Sequence, residues 1–400
     1  MSTPSIAPYF AFARMKVERQ VVHASAGGAM VHLAPDRRFR PRCHTCGRPG
    51  AIHSAHQRIV RDLNLADTQV WLQVRYRKVA CPACRRVRVE DLGFVAAGQR
   101  LTRRLARYIY ALCRDLPAEV VARHVGVDPK TVRAIDRAGL EAEFGRTDYA
   151  GLTVLAIDEI ALKRGHRYMT VVLDHLTGRV VWMGEDRTEA TLEAFFAGMT
   201  AVQKRGIRAV ALDMWQPYIR AVQHHLPNAR IVFDLFHLVR AFGQVIKRVR
   251  DEQFLLARQE DRRLFRGTHY LLLMNGDRLR PRQRTRLNDL LQLNSTLHTL
   301  YVLKDQLKAI YRERFIYRVR WALDDWIRMA ETIRHPEMQA FIQRLRRHAC
   351  GILNHGRHAI GTSRLEGVNN TIKVLKRRGY GYPDSRYFAL KVKQAFPGTN

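Results

Sequence analysis

The second half of the sequence predicts an α/β fold. Five segments have the apolar or alternating pattern of β-strands: residues 154–157, 168–173, 179–183, 209–212 and 230–233. The second and third flank a turn at Thr177-Gly178, and an amphipathic helix is predicted from Thr188 to about Arg205. A second, shorter helix separates the last two strands. Three strands, helix, strand, helix, strand is the order of an RNase H-like core.

Only helix is predicted after the last strand. Residues 238–348 are rich in arginine and carry leucine, isoleucine and tryptophan at helical spacing. Helices over residues 363–378 and 387–394 close the chain. We expect Trp321 and Trp326 to lie in the core of the helical region. Exposed platforms on which nucleic-acid bases stack are the alternative.

Four of the six cysteines form two tight pairs, Cys43-His-Thr-Cys46 and Cys81-Pro-Ala-Cys84. Two thiolates at i and i+3 fit one knuckle and supply half of a tetrahedral zinc site. Residues 47–80 separate the pairs, and a β-hairpin there would bring the knuckles together. We therefore expect a zinc ribbon with one structural Zn²⁺. Two unrelated reduced pairs, or a redox site at one of them, are the alternatives.

The remaining N-terminal pattern indicates strands. Residues 15–32 predict two short strands around the turn Ser25–Gly28, and residues 71–79 alternate as a half-exposed strand does. The two unpaired cysteines, Cys113 and Cys350, stand in apolar helical surroundings, and we expect both to be small core residues.

A helix-turn-helix is predicted between Ala118 and Arg137. Gly126 occupies the tight turn, and Asp128-Pro129 offers an N-cap followed by proline at the first helical position. The open face of the second helix, which would enter a DNA major groove, would carry Lys130, Thr131, Arg133 and Arg137. An ordinary helical hairpin is the alternative.

The charge balance indicates a polyanionic partner. Lys plus Arg number 69 against 36 Asp plus Glu, a formal net charge of +33, so double-stranded DNA is the expected partner. The sequence has no apolar run of about 18 residues, and we expect no membrane segment. Residues 1–13 lack the apolar stretch of a signal peptide, so we expect a cytoplasmic protein whose cysteines stay reduced.

Acidic residues at strand ends carry the predicted chemistry. Asp158 and Asp213 each follow an apolar strand, and this strand order makes the two ends adjacent. Their carboxylates could share two divalent cations that activate a water or a 3′-hydroxyl, whereas solvated turns are the bland alternative. Asp234, after the next strand, is the rival for the second position. Otherwise it lines the site with His237, which would orient a ligand, water or phosphate. Glu159 is expected on the opposite strand face.

A third acid is expected from a later helix, and Glu366 is the candidate. At 3.6 residues per turn, Glu366 shares one face of the helix with Asn370, Lys373 and Arg377. That face would hold a metal ligand at one end and phosphate-binding cations along the rest.

Several motifs together resemble one family, the bacterial insertion-sequence transposases of the zinc-ribbon DDE type, called the ISL-three family. The matching stretches are AIDEIALKRGH at 156–166, YMTVV at 168–172, ALDMW at 211–215 with Pro217-Tyr218, LPNARIVFDLFH at 226–237, SRLEGVNNTIK at 363–373 and RRGYGY at 377–382. One departure is local: residues 361–365 read GTSRL, where the family more often has SNGxV. This concerns the positioning of Glu366 rather than activity.

The resemblance implies a catalytic triad of Asp158, Asp213 and Glu366 that works with Mg²⁺ or Mn²⁺. It also implies an all-helical insertion between the last core strand and the helix bearing Glu366. Members bind the terminal inverted repeats of their element and move it by cutting and joining DNA. Element ends and target DNA are thus the expected partners, and paired ends imply a homodimer or higher oligomer. The alternatives are a catalytically silent, sequence-specific DNA-binding regulator derived from a transposase, and a nuclease that cuts without joining.

The expected organisation has five segments. They are a zinc ribbon (1–98), a helix-turn-helix domain (99–147), the first part of the RNase H-like core (148–240), the helical insertion (241–350) and the C-terminal core helices with Glu366 (351–400). Such a protein is expected at the bacterial nucleoid.

Overall fold

The structure is a computed structural model that describes residues 5–23, 27–96, 98–163, 167–358, 360, 363–379, 382 and 384–398. It divides into two compact units, Met1–Gly145 and Arg146–Asn400. The five expected segments are a finer division than these units and remain a prediction. Among the described helices, none is both long and apolar enough to span a membrane.

The first unit is built on a five-stranded sheet. Its strands are β1 (Met15–His23), β2 (Gly28–Pro35), β3 (Ala51–Arg61), β4 (Gln69–Cys81) and β5 (Arg86–Val89). The order is β1-β2-β4-β3, with β5 also paired to β4, and only the β2–β4 pair is parallel. The predicted alternation of residues 71–79 is present in β4, whose inward Val70, Leu72 and Val74 lie in the core. The predicted turn at Ser25–Gly28 lies partly outside the described residues.

Three helices complete this unit: α1 (Arg103–Leu112), α2 (Ala118–Val125) and α3 (Pro129–Phe144). Gly126 ends α2 with φ of 67°, a left-handed conformation that favours glycine. The Asp128 carboxylate accepts hydrogen bonds from the backbone N–H groups of Lys130 and Thr131 and so caps α3. Val121, Val125 and Val132 are buried together in the core of the three helices. The predicted helix–turn–helix geometry is present.

A buried ionic network ties the sheet to α1. The fully buried Asp62 accepts hydrogen bonds from the Thr102 hydroxyl at 2.6 Å and, through both of its carboxylate oxygens, from Nε and Nη2 of Arg104. The neighbouring Arg61 is also buried, and its guanidinium donates to the carbonyl oxygen of Val125 at the end of α2. Since a buried charge is tolerated only when it is paired, this network is expected to set how the sheet and helices pack.

We expect Asp62→Ala to lower the free energy of unfolding of this unit by about 2–4 kcal/mol. Removing one partner of a fully buried pair costs about 3–5 kcal/mol, and the figure is reduced here because the Arg104 side chain stays 30% exposed. Hydrogen–deuterium exchange of the β4 amides measures the loss. Asp67→Ala, at an exposed position nearby, is the control and should change exchange little. Equal protection in both variants would contradict the role of the network.

The second unit contains another five-stranded sheet. Its strands are β6 (Val154–Lys163), β7 (Arg167–Asp174), β8 (Val180–Glu185), β9 (Ala209–Leu212) and β10 (Arg230–Phe233). The order is β10-β9-β6-β7-β8: β6, β7 and β8 are antiparallel, while β9 and β10 are parallel to β6. All five predicted strands are present. Gly178, with φ of 76°, forms the predicted turn between β7 and β8.

Helices cover both faces of this sheet. On one face lie α4 (Glu189–Ala197), α6 (Gln216–His225) and α7 (Leu235–Leu256), and on the other α15 (Ser363–Arg378) and α16 (Ser385–Ala395). The prediction of a single helix from Thr188 to Arg205 was wrong, because α4 ends at Ala197 and a separate helix, α5 (Ala201–Gly206), follows it. The reason is local: Thr200 and Gln203 form a capping box that starts a new helix.

The region between β10 and α15 is helical, as predicted. Beyond α7 it contains α8 (Arg262–Phe265), α9 (His269–Leu273), α10 (Pro281–Leu293), α11 (Ser295–Ile310), α12 (Ile316–Glu331), α13 (Pro336–Arg347) and α14 (Ala349–Leu353). Trp326 is buried in its core, but Trp321 is 71% exposed, so the core prediction was wrong for Trp321. The two residues are five apart, which places them on different faces of α12. Similarly, Cys113 is buried as expected, whereas Cys350 is exposed.

Candidate active site and metal centre

Three aspartates lie side by side at one end of the second sheet, toward the carboxyl ends of the parallel strands β6, β9 and β10. The pairing Ala156↔Ala211 places Asp158 level with Asp213, and Phe233↔Leu212 places Asp213 level with Asp234. Asp213 and Asp234 directly follow β9 and β10. Asp158 was expected to end its strand, but β6 continues to Lys163 because it stays paired with β7. Asp158 therefore stands two residues beyond Ala156, the last residue of β6 that pairs with β9.

His237, on the first turn of α7, lies among these carboxylates. Its Nδ1 is 3.3 Å from Asp213 Oδ2, and its Nε2 is 3.8 Å from both Asp158 Oδ1 and Asp234 Oδ2. Burial by itself lowers the pKa of His237, but the hydrogen bond and charge of Asp213, with the other two carboxylates, raise it to about 9. The imidazolium thus balances part of the negative charge.

The three acids differ in environment. Burial raises the pKa of Asp158 to about 6, and the charge of Glu159 adds to this effect. For Asp213, burial acts in the same direction, but the contact with His237 outweighs it and lowers the pKa. Asp234 is 5% exposed: one oxygen accepts the Phe236 N–H as the cap of α7, and the other is buried without a hydrogen-bond partner among the described residues.

Helix α15 reaches the cluster through an asparagine. Asn369 Nδ2 donates to Asp158 Oδ2 at 2.7 Å, and Asn369 Oδ1 is buried without a hydrogen-bond partner among the described residues. Glu366 stands one turn earlier on α15 and is exposed. Residues at i and i+3 of a helix have Cβ atoms about 5–6 Å apart, so the Cβ of Glu366 lies about that far from the Cβ of Asn369. Within the described residues, no set of three ligand atoms from these carboxylates and His237 lies within 4.8 Å of one another, as the sulfurs of the four paired cysteines do.

The remaining residues predicted on α15 lie on its open side. Asn370, Lys373 and Arg377 are exposed together with Glu366. Sequence reasoning placed Asn370 near the active site and passed over Asn369, which makes the contact. The available signal was helical spacing: Asn369 follows the buried Leu365 by four residues and therefore faces the sheet.

A second ion pair flanks the cluster. Glu159 points to the opposite face from Asp158, as strand alternation predicts, and its carboxylate lies 3.5 Å from the Arg187 guanidinium. That guanidinium stacks on the rings of Tyr168 and Trp215, at 4.3 and 4.8 Å from their centroids. Arg187 was not found from sequence, because no local pattern marks its position.

The four paired cysteines converge in the first unit. Cys43 Sγ lies 3.9 Å from Cys84 Sγ, Cys46 Sγ lies 3.5 Å from Cys81 Sγ, and all four sulfurs lie within 4.8 Å of one another. The predicted hairpin is responsible: β3 pairs with β4 from Ala51↔Ala80, which closes residues 47–80. With Zn–S bonds of about 2.3 Å, sulfurs of a tetrahedral site are about 3.8 Å apart. The cluster is therefore compatible with zinc.

The backbone supports both knuckles in the same way. The residue after each pair, Gly47 or Arg85, has a positive φ of 69° or 50°. Burial raises the pKa of the Cys43 thiol, but the backbone N–H groups of Cys46 and Thr45 outweigh it and lower the pKa to about 6. These N–H groups favour the thiolate, the form of cysteine that binds metal.

The four residues predicted for DNA recognition lie along α3. Lys130 and Arg137 are exposed, and Thr131 and Arg133 are partly exposed. The Arg133 guanidinium lies 2.6 Å from the Glu119 carboxylate on α2. Any contact of Arg133 with a base therefore competes with this ion pair.

A helix-turn-helix in one unit and an aspartate-lined sheet edge in the other are compatible with a DNA-binding transposase. Comparison with known proteins agrees. Residues 155–392 match a family model described as "Transposase", and residues 90–139 match the "Helix-turn-helix domain of transposase family ISL3".

Two relatives carry the same description. The chain is 41% identical over 364 residues, 89% of each chain, to the "Transposase for insertion sequence element IS1001" of Bordetella parapertussis. It is 27% identical over 374 residues, 85% of this chain and 82% of the relative, to the "Transposase for insertion sequence element IS1557" of Mycobacterium tuberculosis. The chain belongs to transposase family ISL3, so the resemblance seen in the sequence is confirmed.

Proposed function

We propose that this transposase binds the terminal inverted repeats of its insertion sequence and performs metal-dependent DNA strand cleavage and strand transfer with Asp158, Asp213 and Glu366. The in-register aspartates at the carboxyl ends of adjacent strands carry the proposal. The contact of Asn369 with Asp158 supports the third member, since it holds the helix of Glu366 against this edge.

The sheet order and the helices on both its faces support an RNase H-like core. In this proposal the helices between β10 and α15 are an insertion into that core, and the first unit combines a zinc ribbon with the helix-turn-helix. The five segments named from the sequence, with bounds 1–98, 99–147, 148–240, 241–350 and 351–400, follow this proposal.

The donor atoms at the sheet edge suit hard divalent cations. Carboxylate oxygens and the orphaned oxygens of Asp234 and Asn369 are the ligand type that Mg²⁺ or Mn²⁺ prefers. Two such ions, when bound, would supply charge stabilisation to the attacking and leaving oxygens of the phosphodiester. The carboxylates of Asp158, Asp213 and Glu366 would hold them, while the Cys43, Cys46, Cys81 and Cys84 thiolates would hold one structural Zn²⁺.

Asp213 is the better second ligand. One oxygen of Asp234 caps α7 and its side chain is nearly covered, whereas Asp213 keeps 30% of its side chain exposed and so accessible to a cation. His237 would hold Asp213 in place and orient a phosphate or water beside it. Along α15, Asn370, Lys373 and Arg377 would follow the DNA backbone.

Product mapping tests the function. The purified protein is incubated with DNA containing an element end and Mg²⁺, and nicks and joined strands are mapped by sequencing. Cleavage at the end together with joined products is expected. Cleavage without joining would indicate a nuclease, and sequence-specific binding without cleavage would indicate the silent regulator, the second candidate function.

Recognition by α3 has its own test. We expect Arg133→Ala and Arg137→Ala each to weaken binding of the full chain to element ends by about 1–3 kcal/mol, with a smaller loss on random DNA, if they contact bases. Glu119→Ala is the matched control, because it releases Arg133 from its ion pair and should not weaken binding. Equal losses of affinity for element ends and for random DNA would show that these arginines contact only phosphates. Unchanged binding would show that α3 is not the recognition helix.

The remaining partners follow from the reaction. Two element ends must be held together for transfer, so we propose a homodimer or higher oligomer on paired ends, acting on nucleoid DNA in the bacterial cytoplasm.

A further inference from the structure

An aromatic cluster is exposed at the start of α12. Phe315 and Tyr317 are 54% and 53% exposed, and Trp321 is 71% exposed. The Phe315 and Tyr317 rings stack with centroids 5.8 Å apart, and the Trp321 ring meets Tyr317 edge-on at 6.3 Å. Large aromatic side chains on a helix normally face the core, as Trp326 does on the same helix. We name Phe315, Tyr317 and Trp321 the aromatic patch.

The patch is interleaved with arginines. The Arg318 guanidinium lies 5.5 Å from the Phe315 ring centroid and 6.0 Å from that of Tyr317. Arg312, Arg314 and Arg320 are exposed in the same stretch of sequence. Three acids are near the patch: Glu313 lies 3.8 Å from Arg318, and the exposed Asp324 and Asp325 follow Trp321 by one helical turn, with Asp325 paired to Arg328. Such a surface attracts a polyanion whose groups can also stack on rings.

The segment leading into the patch is attached to the strand that precedes Asp234. The Tyr311 hydroxyl donates to the Phe233 carbonyl oxygen at 3.1 Å. A chain extends at most about 3.6 Å per residue, so the Cα of Phe315 lies within about 14 Å of that of Tyr311.

A turn at residues 354–356 provides the second attachment. Asn354 Nδ2 donates to the Ile231 carbonyl oxygen of β10 at 2.8 Å. Gly356 packs so closely on the start of α12 that a Cβ there would lie 2.9 Å from the Ile316 nitrogen. Two attachments therefore tie the start of α12 to β10, the strand that Asp234 follows.

We propose that the aromatic patch binds unpaired DNA bases by stacking, next to the phosphate on which the active site acts. This proposal rests on the proposed function for its location but not for its chemistry. In intact duplex DNA the flat faces of bases are already stacked, so the rings would select single-stranded or locally opened DNA. The net charge of the chain and the arginines favour DNA over a second copy of this protein as the occupant.

Equilibrium binding tests the proposal. Full-length protein is titrated into labelled oligo-dT of about 20 nucleotides, and separately into a duplex of equal length, with Ca²⁺ in place of Mg²⁺ so that cleavage does not enter. Trp321→Ala should weaken single-strand binding about tenfold or more, since the loss of one stacked base typically weakens binding by about that factor. Duplex binding should stay within about twofold, and Trp321→Phe should restore part of the loss.

Tyr270→Ala is the matched control, because Tyr270 is an equally exposed aromatic residue in the same helical region. It should leave both affinities unchanged. Unchanged single-strand binding in Trp321→Ala, or an equal loss on duplex, would overturn the proposal. So would sedimentation showing that Trp321→Ala dissociates a dimer while single-strand binding persists. If wild-type protein binds single strands but never cuts element ends with Mg²⁺, the proposed function fails while the patch stands.

Discussion

Alanine at Asp158, Asp213 or Glu366 is expected to lower the rates of cleavage and strand transfer at least about 10³-fold while end binding stays intact. Each carboxylate would hold cations that stabilise charge in the transition state, and losing one strong electrostatic group already costs about 10²–10³ in rate. Quantifying nicked and joined products over time with Mg²⁺ measures the loss, and a gel-shift assay with Ca²⁺ measures binding. Glu193→Ala, which removes an exposed acid from α4, should leave both rate and binding unchanged.

The choice between Asp213 and Asp234 needs a matched pair of variants. Asp234→Ala would also remove the cap of α7, at a cost of about 0.5–2 kcal/mol in stability, so asparagine is the better replacement. We expect Asp213→Asn to be inactive and Asp234→Asn to keep measurable activity. The reverse result would make Asp234 the second ligand and keep the mechanism. Undiminished cleavage in all three alanine variants would falsify the nuclease proposal itself.

Replacing Cys81 and Cys84 together by serine is expected to reduce bound zinc from about one ion per chain to none and to unfold the first unit. Structural zinc sites contribute apparent binding free energies of about 10–16 kcal/mol in small domains, as much as a whole domain is usually worth. Metal analysis of purified protein measures the ion. Hydrogen–deuterium exchange of β3 and β4 measures folding.

Cys350→Ser provides the control, because Cys350 is an exposed cysteine far in sequence from the cluster. It should retain one zinc and full protection of both strands. Zinc that persists in the Cys81 and Cys84 double variant would show that the ligands have been assigned wrongly. Protection that persists without zinc would show that the buried core of the sheet suffices.

Local sequence patterns were sufficient to predict many structural elements of this protein. Doubled Cys-x-x-Cys pairs, Gly126 with Asp128-Pro129, and apolar strands each followed by an aspartate are short-range signals whose physics acts within a few residues. The knuckles, the helix-turn-helix and all five strands of the second sheet therefore followed from sequence. The break between α4 and α5 was missed because the capping box at Thr200 outweighed the apolar periodicity that runs through it.

Tertiary structure decided which side chains meet, where β6 ends and which helix faces are buried, because these features depend on packing partners distant in sequence. Helical spacing places Asn369 on the same face of α15 as Leu365, but only the docking of α15 on the sheet brings that face to Asp158. Strand pairing, not the strand's own residues, carries β6 beyond Asp158, and Arg187 meets Glu159 only through the fold. Trp321 and Trp326 both fit an apolar helix pattern. Which of them is buried depends on the neighbours of α12, because helical periodicity defines faces but does not say which face another element covers.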